Sequence, residues 1–212
     1  MKEGTHNYDN NLKAVLHNNV GYIFPAGGNI FIKNEAQKGD WNKININEPA
    51  GEVSEKVFSL WFDHGSKPLN ESYAYIIVPN KKNIKELNQY NADDVQICTN
   101  NDSIQAVYNK KLNILDIVFL RKATFSFKGL SIKSNNSSAI IIKNIDEKEV
   151  IMHIADPTQS KNVLEIEALL PSISVKRKRI SIDMTNSGLS AGKTHMIRIN
   201  KNTAELIEKY VQ

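Results

Sequence analysis

Apolar and polar residues alternate over short segments along most of the chain, and the segments are bounded by Gly, Asn, Asp and Pro. This period of two is typical of β-strands that bury one face. The clearest examples are Asn29–Lys33, Val57–Phe62 and Val163–Ala168. Further strands are predicted at close spacing, namely Ser72–Val78, Ile104–Tyr108, Ile114–Leu120, Thr124–Phe127, Ala139–Lys143, Glu149–Ile154, Ser172–Val175, Arg179–Met184 and His195–Ile199.

A helical pattern is confined to two short segments, Asn83–Tyr90 and Thr203–Val211. Neighbouring parallel strands need long crossover connections, and neither segment is long enough to supply several of them. The sequence therefore predicts an all-β fold built of antiparallel β-sandwiches.

The Ser- and Asn-rich stretch Lys133–Ser138 has the most linker-like composition of the chain. It predicts a domain boundary between residues 110 and 137. The chain would then consist of a first domain, residues 1–120, and a second domain, residues 121–212.

The composition is that of a folded protein, since 41% of the 212 residues are hydrophobic and 24% are charged. The longest apolar runs fall short of the ~20 residues that cross a bilayer, so no membrane span is predicted. No apolar stretch follows Met1, so no signal peptide is predicted, and the chain either stays inside the cell or is a fragment. The single cysteine, Cys98, rules out an internal disulfide and is predicted to be a small core residue.

The net charge of +4 mildly favours acidic partners, but the excess is too small to name one. Its most compact source is the run Lys176–Arg179, which we interpret as a solvated strand or turn. No nucleic-acid partner is predicted.

Two familiar kinds of site are excluded by spacing. The segment Gly188–Thr194 has three residues between its glycines where a phosphate-binding loop has four, and a strand is predicted after it where that loop needs a helix. The five histidines do not have the spacing of a zinc site. Neither a metal nor a cofactor is predicted.

The adjacent residues Asp63 and His64 could form an acid–base pair, but neighbouring residues on a strand point to opposite faces, so a loop role is favoured. Trp61 lies within an apolar strand and is predicted to be core. Trp41 stands between Asp40 and Asn42 and is the better candidate for an exposed ring that stacks on sugar. The candidate carbohydrate contacts are Trp41, His64 and Lys67.

Six strings, spread in order from about residue 17 to residue 160, carry the most specific signal. They are His17–Pro25, Gly39–Asn45, Asp63–Pro68, Tyr73–Asn80, Ile104–Val107 and Ala155–Gln159. Together they resemble the carboxy-terminal half of polysaccharide lyase family 8, which contains hyaluronate, chondroitin AC and xanthan lyases. The final forty residues are similar only in their strand pattern.

The resemblance implies part of a galactose-mutarotase-like super-sandwich followed by a small carboxy-terminal β-sandwich. It also implies a parent enzyme that cleaves uronic-acid polysaccharides by β-elimination and that is secreted or periplasmic. The family's catalytic asparagine, histidine, tyrosine and arginine lie on an amino-terminal α/α toroid, and none of their motifs matches this chain.

The expectation is therefore a lyase portion with no catalytic residue of its own. It would support the missing toroid, meet acidic polysaccharide through the full-length enzyme, and be inactive alone. The alternatives are a stand-alone carbohydrate-binding β-sandwich and a structural β domain with no sugar ligand. If early strands of the super-sandwich are absent, the first domain should expose apolar side chains and the second should be better closed.

Overall fold

The fold was analysed in a computed structural model. It describes residues 3–9, 12–160, 163–170, 177–184, 192–201, 203 and 206–211. Contacts divide the chain into two compact units, unit 1 (Met1–Ala92) and unit 2 (Asp93–Gln212). All strand pairs of the described residues are antiparallel, which confirms the predicted all-β class. No described helix is long and apolar enough to span a membrane.

The described residues of unit 1 form six strands in two three-stranded sheets. The first sheet has the order β1-β4-β5 and the second the order β2-β3-β6. A short 3-10 helix, Trp41–Lys43, follows β4 and a single-turn α-helix follows β6. The bounds are β1 Gly4–Asp9, β2 Ala14–His17, β3 Val20–Ile23, β4 Asn29–Gly39, β5 Val53–Phe62, β6 Ile76–Val78 and α1 Ile84–Leu87.

A two-residue turn and a helix cap fix the second sheet of unit 1. Asn18 and Asn19 connect β2 to β3 with φ of 46° and 64°, the left-handed conformation that tight hairpins require and that Asn tolerates. Helix α1 begins after Asn83, whose side chain accepts a hydrogen bond from the backbone N–H of Glu86 at 2.9 Å. The helix buries Leu87, which packs on Gly21 of β3. The predicted helix at Asn83–Tyr90 is confirmed in a shorter form.

The described residues of unit 2 form a sandwich of a seven-stranded and a four-stranded sheet. The larger has the order β17-β16-β13-β12-β9-β8-β7 and the smaller β10-β11-β14-β15. Buried residues of both sheets form one core, because each strand turns alternate apolar residues inward. The bounds are β7 Val95–Asn100, β8 Ile104–Asn109, β9 Ile114–Phe119, β10 Ala123–Phe127, β11 Leu130–Ser134, β12 Ser138–Lys143, β13 Glu149–Ala155, β14 Val163–Leu169, β15 Arg177–Asp183, β16 His195–Asn200 and β17 Leu206–Val211; a second 3-10 helix spans Ala92–Asp94.

The chain does not divide in the interval 110–137 that the sequence predicted. Strand β9 lies near the start of this interval and β12 begins directly after its end. The two strands are nevertheless paired neighbours in one sheet, and their buried residues belong to one core. The division falls at Ala92/Asp93 instead. The Ser-rich stretch is not a linker, because Ser134 and Ser138 are fully buried and their hydroxyls are hydrogen-bonded at 2.9 Å.

Two predicted elements are corrected. The predicted helix at Thr203–Val211 is wrong, because Leu206–Val211 forms β17 and pairs with β16, so the open edge of β16 overrides the local helical pattern. Of the predicted strand Ser72–Val78, only Ile76–Val78 is in a ladder. The predicted strand Ser172–Val175 lies outside the described residues. Cys98 is partly buried against the core of unit 2, and this burial raises the pKa of its thiol.

The two units differ in how much apolar surface they bury. Among the described residues, the buried hydrophobic residues of unit 1 are only Phe24, Ile30, Ile32, Val78 and Leu87, whereas unit 2 buries 24 hydrophobic residues in its core. Most of the exposed large hydrophobic residues belong to unit 1. This confirms the expectation that the amino-terminal part exposes apolar side chains.

Candidate functional site

The candidate site is a cleft of about 450 Å³ in unit 1. Its walls come from β5, from β3 and from the segment that leads into β6. Both β5 and β6 are terminal strands of their sheets. The lining is mostly aromatic and aliphatic: Tyr22, Phe58, Leu60, Trp61, Phe62, His64, Tyr73, Tyr75 and Ile77.

Three rings of the cleft are arranged in near-parallel fashion. The centroids of Phe62 and Tyr73 are 5.3 Å apart, and those of Tyr73 and Tyr75 are 6.4 Å apart with planes inclined by 11°. Tyr73 and Tyr75 are 56% and 47% exposed, so much of their ring surface is open to a ligand or a protein partner. An apolar, concave surface with few polar groups is typical of a binding site.

His64, one of the three residues predicted as carbohydrate contacts, lines this cleft. Its Nδ1 lies 3.6 Å from Oε2 of Glu71. The carboxylate of Asp63 instead accepts a hydrogen bond from the backbone N–H of Gly65 at 2.9 Å and so stabilises the loop, in which Gly65 has φ of 74°. The interpretation of Asp63 and His64 as loop residues is confirmed.

The other two predicted sugar contacts lie elsewhere. Lys67 is exposed in the loop after β5 and is not among the residues that line the cleft. Trp41 is 59% exposed in the loop between β4 and β5 and also does not line it. The structure therefore does not bring Trp41, His64 and Lys67 together at the cleft.

Trp61, which was predicted to be core, is 39% exposed and stacks on Phe31 with centroids 5.4 Å apart. Tyr73 and Tyr75 also line the cleft, which was not predicted from the sequence. Their spacing of two was available as a signal, but it was interpreted as a strand and so as a structural feature.

A polar cluster lies in unit 2. The ammonium of Lys128 donates hydrogen bonds to the hydroxyl of Tyr108 at 3.0 Å and to the carboxylate of Asp146 at 2.9 Å. The hydrogen bond from Lys128 holds the pKa of Asp146 below its usual range, and the hydrogen bond to Tyr108 raises the pKa of Lys128. We assign this cluster a structural role, because it joins the ends of strands rather than lining a cleft.

The described residues of the remaining sequence candidates form no second site. In the basic run Lys176–Arg179, Lys176 lies outside the described residues, and the guanidinium of Arg179 is 3.6 Å from the carboxylate of Glu167. Gly188 and the three residues after it also lie outside the described part, and β16 begins at His195, just after Thr194. Among the described residues, no group of three or more His, Cys, Asp or Glu side chains could hold a metal ion.

Comparison with known protein families matches both parts of the chain. Residues 1–91 match the model of the polysaccharide lyase family 8 super-sandwich domain, and residues 96–165 match the model of the family's C-terminal β-sandwich domain. The class of protein is thus the carboxy-terminal β portion of a polysaccharide lyase.

Individual relatives agree with this class. The chain is 36% identical over 171 residues to chondroitinase-AC from Pedobacter heparinus and 32% identical over 146 residues to xanthan lyase from Bacillus sp.. These matches cover 80% and 68% of this chain but only 24% and 15% of the relatives. A solved chondroitinase AC lyase, studied as enzyme–oligosaccharide complexes, superposes with a TM-score of 0.76 at 31% identity, covering 92% of this chain and 29% of that one. The chain belongs to polysaccharide lyase family 8.

Proposed function

We propose that this chain is the carboxy-terminal β portion of a secreted family 8 lyase that cleaves a uronic-acid-containing polysaccharide by β-elimination. The observation that carries the proposal is the contrast between the two units. Unit 1 matches a super-sandwich domain yet exposes an aromatic cleft beside two terminal strands, whereas unit 2 has one continuous core. The exposed face of unit 1 is suited to packing against further protein.

The chemistry supports a division of labour within the full enzyme. β-Elimination removes the proton next to the uronate carboxylate and expels the glycosidic oxygen, so it requires a positioned base and a group that neutralises the carboxylate. In the cleft, His64 stands beside the acidic Glu71 and a wall of apolar rings. A carboxylate at this place would repel a uronate rather than neutralise it. The catalytic groups are therefore proposed to come from the remainder of the enzyme, and the isolated chain is proposed to be inactive.

A chimera tests this proposal. The chain would replace the region that it matches in Pedobacter heparinus chondroitinase-AC, and turnover of chondroitin would be followed by the ultraviolet absorbance of the unsaturated product. We expect turnover from the chimera and none from the isolated 212-residue chain. Turnover by the isolated chain, or a folded chimera without turnover, would contradict the proposal.

A second candidate function is carbohydrate binding by the cleft itself, which the parallel exposed faces of Tyr73 and Tyr75 favour. Titration of the isolated chain with oligosaccharides of chondroitin, hyaluronan and xanthan, followed by calorimetry, separates it from a purely supporting role. Tyr75→Ala should abolish such binding, and the exposed Leu112→Ala in unit 2 is the matched control. Absence of binding up to millimolar oligosaccharide would exclude this candidate.

A further inference from the structure

Strands β4 and β5 extend beyond the described residues of β1. Among the described residues, β1 pairs with Asn29–Asn34 of β4, and Glu35–Gly39 of β4 pair with Val53–Val57 of β5. Within the described residues, these five pairs form a two-stranded arm about 17 Å long. Most of its side chains are exposed, and an ion pair between Lys38 and Glu52 at 2.7 Å lies at its end nearest the loop. A two-stranded ribbon of this kind is only marginally stable in water by itself.

The loop at the end of the arm is nevertheless tightly hydrogen-bonded. The carboxylate of Asp40 accepts from the backbone N–H groups of Asn42 at 3.0 Å and Gly51 at 3.3 Å. The side-chain amide of Asn42 donates to the carbonyl oxygens of Ile46 at 3.2 Å and Glu48 at 2.9 Å. The side chains of Asp40 and Asn42 thus hold the backbone of their own loop.

What the tip presents to solvent is apolar. Trp41, Ile44 and Ile46 are 59%, 80% and 87% exposed within six residues of one another. Large apolar groups concentrated on an internally hydrogen-bonded loop mark an interaction surface, because their burial is favourable and less conformational entropy is lost when the loop already has its bound conformation. Tryptophan in particular is enriched among the residues that dominate interface energies.

We propose that the arm tip, defined by Trp41, Ile44 and Ile46, is a docking element that inserts into an apolar recess on the remaining, catalytic part of the lyase. This inference rests on the proposed function and adds the contact by which the two parts hold together. A sugar ligand would need hydrogen-bonding side chains beside the ring, whereas Asp40 and Asn42 are already engaged within the loop. The matched region is only 24% of chondroitinase-AC, so the relative contains ample protein for the tip to contact.

The test uses fluorine NMR of this chain labelled with 5-fluorotryptophan, which gives one signal for Trp41 and one for Trp61. A Trp61→Phe variant assigns the signals. The labelled chain is mixed with an unlabelled amino-terminal portion of Pedobacter heparinus chondroitinase-AC that ends where the match begins. We expect a complex in which the Trp41 signal moves and loses its sensitivity to exchange of H₂O for D₂O.

Affinity measurements make the result quantitative. Trp41→Ala should weaken the complex about 30-fold or more, as truncation of a central interface residue does. Ile46→Ser should weaken it in the same direction, and Leu112→Ala, an exposed apolar truncation in unit 2, should leave it unchanged. Thermal unfolding of each variant shows that the fold is retained, which is expected because both tip residues are exposed.

Several outcomes would overturn the inference. A complex in which the Trp41 signal does not move would place the contact elsewhere and leave the proposed function standing. A Trp41 signal that moves on addition of chondroitin oligosaccharide would assign the tip to sugar, and one that moves with the concentration of the chain alone would assign it to a second copy. If no complex forms, the tip does not hold the parts together, and the activity of the chimera decides the proposed function separately.

Discussion

The ammonium of Lys128 lies 4.5 Å from the centre of the Tyr108 ring and donates a hydrogen bond to its hydroxyl. Lys128 is the first residue of the two-residue turn between β10 and β11, where it has φ of 49°, and the same ammonium reaches Asp146 in the turn between β12 and β13. The contact therefore joins a turn of the four-stranded sheet to a turn of the seven-stranded sheet. It fastens one end of the sandwich in unit 2.

We expect Lys128→Met to lower the free energy of unfolding of unit 2 by about 1 kcal/mol, because it keeps the aliphatic stem but removes charged hydrogen bonds that are partly open to solvent. Urea denaturation followed by circular dichroism measures the change. Lys111→Met, at an exposed position of the turn between β8 and β9, is the control. If both substitutions lowered the free energy of unfolding equally, the loss of one positive charge, and not the loss of the Lys128 contact, would explain the change.

The contact between Lys128 and Asp146 should make the free energy of unfolding of unit 2 depend on pH under acidic conditions. The hydrogen bond from Lys128 lowers the pKa of Asp146 in the folded protein, so the unfolded chain takes up a proton first as the pH falls. The stabilisation is fully present above the pKa of the unfolded carboxyl and is lost as the pH falls through the lower pKa of the folded carboxyl. Denaturation midpoints between these two pKa values should fall more steeply for the native chain than for Asp146→Asn. If the midpoints of the native chain and of Asp146→Asn fell in parallel, Asp146 would not be the source of the pH dependence.

Gly21 is required by the close approach of helix α1 to β3. A Cβ at this position would lie 2.3 Å from Cδ1 of Leu87, which is fully buried. We expect Gly21→Ala to destabilise unit 1 by about 1–3 kcal/mol through overpacking. At Gly39 a Cβ would have no neighbour within 4 Å, so Gly39→Ala is the matched control. Chemical denaturation followed by tryptophan fluorescence measures both, and a neutral Gly21→Ala would show that Leu87 moves aside freely.

The strand pattern predicted most of unit 2, because nearly every strand there alternates a buried and a more exposed face, as in β13 and β14. It failed where the partner of a segment decides its structure. The backbone of Leu206–Val211 forms a strand because β16 offers it an edge, which no local pattern reveals. Ser134 and Ser138 were interpreted as linker residues because serine is usually exposed. Their burial is tolerable because their hydroxyls are hydrogen-bonded to each other, and this contact joins two different strands, so the local sequence does not reveal it.

The candidate site was harder to predict than the fold. His64 was identified from a string of residues, but the cleft around it depends on Phe58, Tyr73 and Tyr75, which come from separate segments of unit 1. Alternation predicted that Tyr73 and Tyr75 share one face, but it could not show that this face is open. The exposure of Trp41 was predicted from its polar neighbours, whereas the arm that carries it depends on the pairing of β4 with β5 from Glu35 to Gly39, which no local pattern reveals.

The last prediction concerns the order in which the two units unfold. Unit 1 fully buries few apolar side chains, whereas unit 2 has a large continuous core, and hydrophobic burial supplies roughly 25 cal/mol per Å². We therefore expect unit 1 to unfold at a lower denaturant concentration. Both tryptophans, Trp41 and Trp61, belong to unit 1, so fluorescence reports that unit alone, while circular dichroism reports the whole chain.

In a urea titration of the isolated chain, the fluorescence transition should come first and the main loss of circular dichroism second. Gly21→Ala should move only the first transition, and Ile142→Val, which removes a methylene from the core of unit 2, should move only the second by about 1 kcal/mol. Coincident transitions that both variants shift together would mean that the units fold as one cooperative body. In that case the small core of unit 1 would be stabilised through its linkage to unit 2, and its exposed cleft would not be a weak point of the isolated chain.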